Sequence, residues 1–391
     1  MIDKHETAAD IEVSAVMPCL NEEETIGACV RKAVDALGRL GVPWEVIVVD
    51  NGSADRSAEI AASLGARVVR EPVKGYGSAY LRGLDEARGR YIVIADSDDS
   101  YDWSDIERFV TPLREGRDMV MGSRFKGRIE PGAMPWLHRY FGNPVLSWIL
   151  RLFFGGRVSD AHCGMRSLTK DAYRRMKLRT VGMEFASEMI VKACKAKLDI
   201  AEIPITLHRD GRSGRPHLRT FRDGYRHLRF MLMCSPTYLF FVPGAALMAL
   251  GFIPLVALMG GIVWIGGHGY GTHFSLAGIV LVTVGFQIIT LGLYAKVYSY
   301  EAQFEDDVRF VDRFYRHFSL ERGLVLGALV FLAGFAIDAY VLCVGIAARF
   351  SITVAELNKA ALATAVMIIG IQIFFSSFLL SMLDMKRRGR L

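Results

Sequence analysis

The stretch YIVIADSDDSYDW (91–103) sets Asp96, Asp98, Asp99 and Asp102 directly after a run of apolar residues. A buried strand that ends in carboxylates must find positive charge or hydrogen bonds for them, because an unpaired ion is costly in a low-dielectric interior. Asp96-Ser97-Asp98 offers hard oxygen donors, which suit Mg²⁺ or Mn²⁺ bound through one or two carboxylates and completed by phosphate oxygens. A cation shared with a diphosphate would stabilise charge as it develops on a leaving group. The alternative is an exposed acidic turn. Two further segments carry similar loads: PCLNEEE (18–24) and DNGSADRS (50–57). Ser53 and Asp55 suit the capping of a helix start. That does not account for Asp50, which closes an apolar strand. In KGYGSAYLRGL (74–84), glycines stand where a loop enters a helix, which favours close backbone approach to a ligand. The chain has no GxGxxG after its first strand and no GxxxxGK[ST], so dinucleotide and P-loop chemistry are disfavoured.

These segments need a frame that brings strand ends together. VSAVMP (13–18), WEVIVVD (44–50), ARVVRE (66–71), YIVIADSD (91–98) and DMVMGSR (118–124) read as strands, each of the first four with a helix-like segment after it: 23–39, 55–64, 77–88 and 104–115. Their apolar runs do not alternate, so both faces are buried, as in a mostly parallel sheet covered by helices. The expected fold is α/β and Rossmann-like, with ligands at the carboxyl ends of the strands.

The rest of the chain answers to a different solvent. The 391 residues are 52% hydrophobic, with a mean hydropathy of +0.26. No Asp, Glu, Lys or Arg occurs between Arg229 and Lys296. About 20 apolar residues span a bilayer as a helix, so four transmembrane helices are expected near 238–265, 275–297, 323–347 and 360–383. Lys296, Arg309, Arg313, Arg316 and Arg322, with Lys386, Arg387, Arg388 and Arg390, place the middle segment, the tail and the N-terminal domain in the cytoplasm by the positive-inside bias. The acidic, polar start MIDKHETAADIEV does not read as a signal peptide, so none is expected. Six cysteines without a CxxC pair read as thiols in a reducing compartment. The expected layout is a catalytic domain over 1–206, an arginine-rich interfacial segment over 207–232 and a membrane domain over 233–391.

Segment 207–230 carries seven arginines: 209, 212, 215, 219, 222, 226 and 229. The last five fall at helical spacing beside an apolar stripe of Leu218, Phe221, Tyr225 and Leu228, the pattern of a helix lying in the membrane interface. Arg209, Arg212 and Ser213, in a glycine-rich loop ahead of it, could reach a lipid phosphate. Arg139 is a second phosphate candidate. Segment 140–156 suits either core or a helix that dips toward the bilayer. No Ser-His-Asp or Cys-His arrangement stands out. A phosphate monoester, with a second pKa near 6, is already a nucleophile at neutral pH and needs no strong base.

Five ordered motifs now make a resemblance specific: Pro18, Asn21 and Glu22 of P-x-x-N-E; VVDxGSxD (48–55); KGxGxA (74–79); D-x-D (96–98); and GSR (122–124). Residues 12–230 resemble a family-2 glycosyltransferase of the GT-A fold, and within it the polyprenyl-phosphate hexosyltransferases, the dolichyl-phosphate mannose and glucose synthase group. The resemblance implies a nucleotide-sugar donor, a polyprenyl (undecaprenyl or dolichyl) phosphate acceptor, the lipid bilayer as a partner, and Mg²⁺ or Mn²⁺ at Asp96 and Asp98. Pro18, Asn21, Glu22, Asp50, Lys74, Gly75, Asp96 and Ser97 are then donor-binding, and Arg124 meets phosphate. Asp98, Asp96 and Arg124 form the catalytic set. Many family members have Gln two residues past D-x-D; here Ser100 stands there. The expected reaction is an inverting hexose transfer, with UDP-glucose favoured and GDP-mannose second. Homo-oligomerisation is open, and no nucleic acid is involved. A processive polysaccharide synthase lacks support because no Arg-Trp pair occurs. A transporter with a cytoplasmic domain would rest on Asp338, a carboxylate inside the third span.

Overall fold

The computed structural model describes residues 11–212, 220–301 and 308–387. The chain divides into two compact units, Met1–Met231 and Leu232–Leu391.

In the first unit, β1 (Val13–Cys19), β2 (Trp44–Asp50), β3 (Arg67–Arg70) and β4 (Tyr91–Ile94) alternate with α1 (Ile26–Arg39), α2 (Ser57–Ser63) and α3 (Tyr76–Glu86), and α4 (Ile106–Arg114) follows β4. Then come β5 (Met119–Ile129), α5 (Asn143–Phe154), β6 (Arg166–Thr169), α6 (Lys170–Met176), α7 (Phe185–Lys195), β7 (Ile200–Leu207) and α8 (Thr220–Met233). The sheet order is β3-β2-β1-β4-β6-β5-β7. β1 pairs in parallel with β2 and β4, and β2 with β3. The strands read from the sequence are present. β6 and β7 were not expected. β6 runs antiparallel between β4 and β5, the one reversal in a mostly parallel sheet. β7 contains Pro204 and lies at the sheet edge, where a missing N–H donor is tolerated. The core, from Val13, Met17, Ile26, Val48, Val93, Trp103 and Phe109, is fully buried and fixes the sheet against α1 and α4.

Most of α8 falls within this unit. Asp223, His227 and Met231 are buried, and the Ser187 hydroxyl of α7 lies 2.8 Å from His227 Nδ1. Phe221 and Tyr225 face outward, with Arg222, Arg226 and Arg229 exposed beside them. Ser213, Arg215, Leu218 and Arg219 lie outside the described residues.

The second unit holds four helices long and apolar enough to cross a membrane, over Thr237–Ala257, Thr272–Tyr298, Leu320–Ala347 and Val354–Asp384. Their helical cores are α9 (Val242–Ala257), α10 (Thr272–Glu301), α12 (Leu320–Ala347) and α13 (Val354–Arg387), with the short α11 (Val308–His317) between α10 and α12. The first span ends at 257 rather than 265, because Val263–Ile265 (β8) and His268–Tyr270 (β9) form a hairpin. Small residues set the packing. A Cβ at Gly327 would stand 2.9 Å from the Gly370 carbonyl, and one at Gly251 would stand 2.8 Å from that of Gly278, so the backbones touch. Asn358 bridges Ser275 and the Leu258 carbonyl at 2.9 and 2.8 Å. Asp338 sits partly exposed in α12.

Candidate active site

The carboxyl ends of β1, β2 and β4 are laced together by side chains. The Ser97 hydroxyl donates to the Pro18 carbonyl at 2.6 Å, joining the ends of β1 and β4. Asn21, with a left-handed φ of 56°, accepts from Ala54 N at 2.8 Å, and its own N–H donates to Ser53 Oγ at 3.0 Å, joining β1 to β2. Asp55 accepts from the Ser57 amide at 3.0 Å, at the start of α2, whereas Ser53 serves Asn21. Asp50 is nearly buried and accepts from the Ser53 amide. Asn51, which sequence reasoning passed over, fastens the glycine loop: its amide donates to the Glu71 and Val73 carbonyls and its oxygen accepts from Gly75 N, at 2.8–2.9 Å. A Cβ at Gly75 would lie 2.2 Å from the Val181 carbonyl, so the glycine there serves close packing of the loop against 180–182. Lys74 stands exposed beside it.

Asp96 and Asp98 are held differently. Both Tyr76 and Tyr80 donate to Asp96 Oδ1 at 3.0 Å. These tyrosines lie four apart on α3, on one helical face, a signal visible in the sequence only once their target is known. Burial, and then the charge of Asp98, push the Asp96 carboxyl up to about 6, with the tyrosine hydroxyls opposing. Gly164 closes over this residue; a Cβ there would meet Asp96 Oδ2 at 2.7 Å and the Tyr101 ring at 2.9 Å. Asp98 Oδ1 accepts from the Ser100 amide at 3.1 Å and from its hydroxyl at 2.6 Å. Ser100, the departure from the family pattern, thus orients Asp98. Asp98 Oδ2 faces Arg212 Nη2 at 3.3 Å, and Arg212 Nη1 lies 2.8 Å from Glu22 Oε1. Burial, with Asp98 acting in the same direction and Arg212 opposing, pushes the Glu22 carboxyl up to about 7. Burial alone would lower the Arg212 pKa, but the hydrogen bond it donates to Asp210 and the charges of Glu22 and Asp98 raise it, so the guanidinium is firmly charged.

Arg212 pairs with Glu22, Asp98 and Asp210. Arg124 is paired as well. Its Nε and Nη2 each donate to Asp160 at 2.7 Å, and its backbone N–H donates to the same carboxylate at 3.0 Å. Both side chains are buried, and the pair bonds across 36 residues of sequence, which is why the GSR motif alone could not show it. Arg139 lies over the Tyr140 ring at 5.4 Å. Arg209 is exposed and donates to the Pro131 carbonyl, apart from the Asp98 cluster. Around α5, Trp136, Tyr140, Phe141, Trp148 and Leu152 are exposed while Ser147 and Leu150 are buried. Segment 140–156 is therefore amphipathic, with an aromatic outer ridge.

The residues fit a divalent cation. Among the described residues no three His, Cys, Asp or Glu side chains converge into a closed metal cage. Asp98 presents one outward oxygen already set against a cation, and the remaining positions would fall to phosphate and water, the mode Mg²⁺ and Mn²⁺ favour.

The first unit is a mostly parallel α/β sheet with carboxylates at its strand ends, and four membrane-length apolar helices follow it in the chain. Residues 14–182 match the family model "Glycosyl transferase family 2", and residues 293–384 match "Glycosyltransferase family 2 C-terminal transmembrane region". The chain belongs to glycosyltransferase family 2 and is an integral membrane protein. It is 42% identical to the low-salt glycan biosynthesis hexosyltransferase Agl6 of Haloferax volcanii over 375 residues, 95% of this chain and 89% of that one. From the same organism, a dolichyl-phosphate hexose transferase is 32% identical over 219 residues, 54% of this chain and 89% of that one. The glycosyltransferase AglJ is 30% identical over 213 residues, 54% of this chain and 68% of that one.

Proposed function

We propose that this enzyme transfers a hexose, with inversion, from a nucleotide-sugar to a polyprenyl phosphate at the cytoplasmic face of the membrane, and that UDP-glucose is the donor. The observation that carries the proposal is the pair of Glu22 and Asp98, brought together past the adjacent ends of β1 and β4 and bridged by the Arg212 guanidinium, with Asp96 held nearby in the same loop by two tyrosines. Such a cluster is built to hold positive charge next to a diphosphate. The names of the two Haloferax hexose transferases support hexosyl transfer, and one supports a dolichyl-phosphate acceptor.

The chain's own groups divide the work. The loops at the ends of β1 and β2, rigidified by Asn21, Asp50 and Asn51, bind the nucleoside end of the donor. Asp98, oriented by Ser100, and Asp96, held by two tyrosines, would hold Mg²⁺ or Mn²⁺, which would supply charge neutralisation to the diphosphate leaving group. No general base is required, because the acceptor phosphate is already anionic at pH 7. The residues need only align two anions and offset their repulsion. The aromatic ridge of α5 and the outward Phe221 and Tyr225 of α8 suit contact with lipid, where aromatic and arginine side chains share an interface.

The test is transfer of labelled hexose from UDP- or GDP-sugars to undecaprenyl or dolichyl phosphate by the full-length enzyme with Mg²⁺ or Mn²⁺. The expected product is a lipid-linked monosaccharide, lost in Asp98→Ala. A polymer product, or an Asp98→Ala enzyme as active as the parent, would sink the reading.

A further inference from the structure

We propose that Arg212 is a positioning residue that acts as a tethered counter-ion: it occupies the cation-binding face of Asp98 in the donor-free enzyme and exchanges with the divalent cation when the donor loads. This rests on the carboxylate cluster being the cation site.

The segment that carries Arg212 is anchored to the D-x-D loop by its backbone. His208 N donates to the Ser100 carbonyl and Gly211 N to the Asp98 carbonyl, each at 3.0 Å. Gly211 also packs tightly, since a Cβ there would press on Thr25 Cγ2 at 3.0 Å. The guanidinium is therefore delivered to Asp98 by main-chain geometry as well as by charge. Asp210, two residues away, accepts from Arg212 N at 3.0 Å and from Nε at 2.8 Å, which fixes the plane of the fork. Asp98 has one oxygen to offer. Oδ1 is filled by the two Ser100 bonds, and Oδ2 carries Arg212.

A divalent cation ligated by Oδ2 and a guanidinium hydrogen-bonded to the same oxygen would stand within a few ångströms of each other, at strongly repulsive separation in a half-buried site. The two states exclude one another. Loading the cation must turn Arg212 off Asp98 and Glu22 while Asp210 keeps it near the loop. A guanidinium released in this way is a bidentate partner for a phosphate dianion, so it becomes available for the acceptor only after the donor's cation is in place. Until then it compensates carboxylates that would otherwise repel one another.

The probe is Mn²⁺ alone, its free concentration followed by electron paramagnetic resonance, with full-length enzyme in detergent. Arg212→Gln removes the competitor and should tighten Mn²⁺ binding by roughly tenfold, the change that about 1.4 kcal/mol corresponds to. Arg212→Lys keeps the charge and should stay within about threefold of the parent. Arg212→Gln binding no tighter than the parent overturns the exchange. Mn²⁺ binding by none of the three proteins overturns the cation reading of the cluster itself, and the exchange with it. A second measurement needs no variant: hydrogen exchange of the 208–212 amides should speed up when Mn²⁺ is added to the parent enzyme, and exchange that is unchanged or slower counts against the proposal.

Discussion

Replacing Asp160 with Ala should be among the most destabilising single changes in the first unit. The Asp160 carboxylate is fully buried and receives three hydrogen bonds from one residue: Arg124 Nε and Nη2 at 2.7 Å and Arg124 N at 3.0 Å. The acid supplies the only negative charge in contact with that guanidinium among the described residues. Truncation leaves a buried cation and a buried N–H without a partner, and breaking a buried pair from one side costs about 3–5 kcal/mol. At about 2–4 °C per kcal/mol for a unit of this size, the midpoint should fall by roughly 6–20 °C. The assay is thermal unfolding of the full chain in detergent by tryptophan fluorescence. Four of the five tryptophans, Trp44, Trp103, Trp136 and Trp148, lie in the first unit and Trp264 in the second, so the signal reports chiefly on the first. The double variant Arg124→Met, Asp160→Leu removes both charges and should recover most of the loss. A midpoint for Asp160→Ala within about 2 °C of the parent, or a double variant less stable than the single one, would refute the account of Arg124 as a structurally committed cation.

Lowering the pH from 8 to 5 should weaken Mn²⁺ binding progressively. Glu22, raised to about 7, and Asp96, raised to about 6, take up protons across that window, and a neutral carboxyl is a poor ligand for a hard cation; titrating Mn²⁺ affinity against pH checks it, with a flat profile as the adverse result. Gly164→Ala would thrust a methyl group to 2.7 Å from Asp96 Oδ2. Transfer should fall at least about tenfold, because the shifted Asp96 or Tyr101 loses alignment, while circular dichroism stays unchanged; full activity would show the loop yields freely. Trp148→Ser on the exposed ridge of α5 should raise KM for a long polyprenyl phosphate more than KM for a short-chain analogue, at similar kcat. Equal effects on both acceptors would remove the ridge from lipid contact.

What the sequence determined by itself was whatever is written in local patterning. Unalternating apolar runs such as VIVV and YIVI announce strands buried on both faces, and they are β2 and β4. Four long apolar runs, one of them interrupted by Asp338, announce membrane-length helices, because a helix satisfies all of its backbone within one segment inside lipid. The carboxylates at the strand ends were legible for the same reason, since charges beside an apolar run need an explanation. Tertiary structure decided which partner each charge met. β6, four residues of RSLT, carries no period of its own and is a strand because β4 and β5 leave a slot for it. The pairing of Arg124 with Asp160 came only with the fold, and the tyrosines of α3 gained meaning only beneath Asp96. Arg212 meets Glu22 across 190 residues. Coulomb attraction and hydrogen bonding act over a few ångströms of space, and only the folded chain sets which residues come that close.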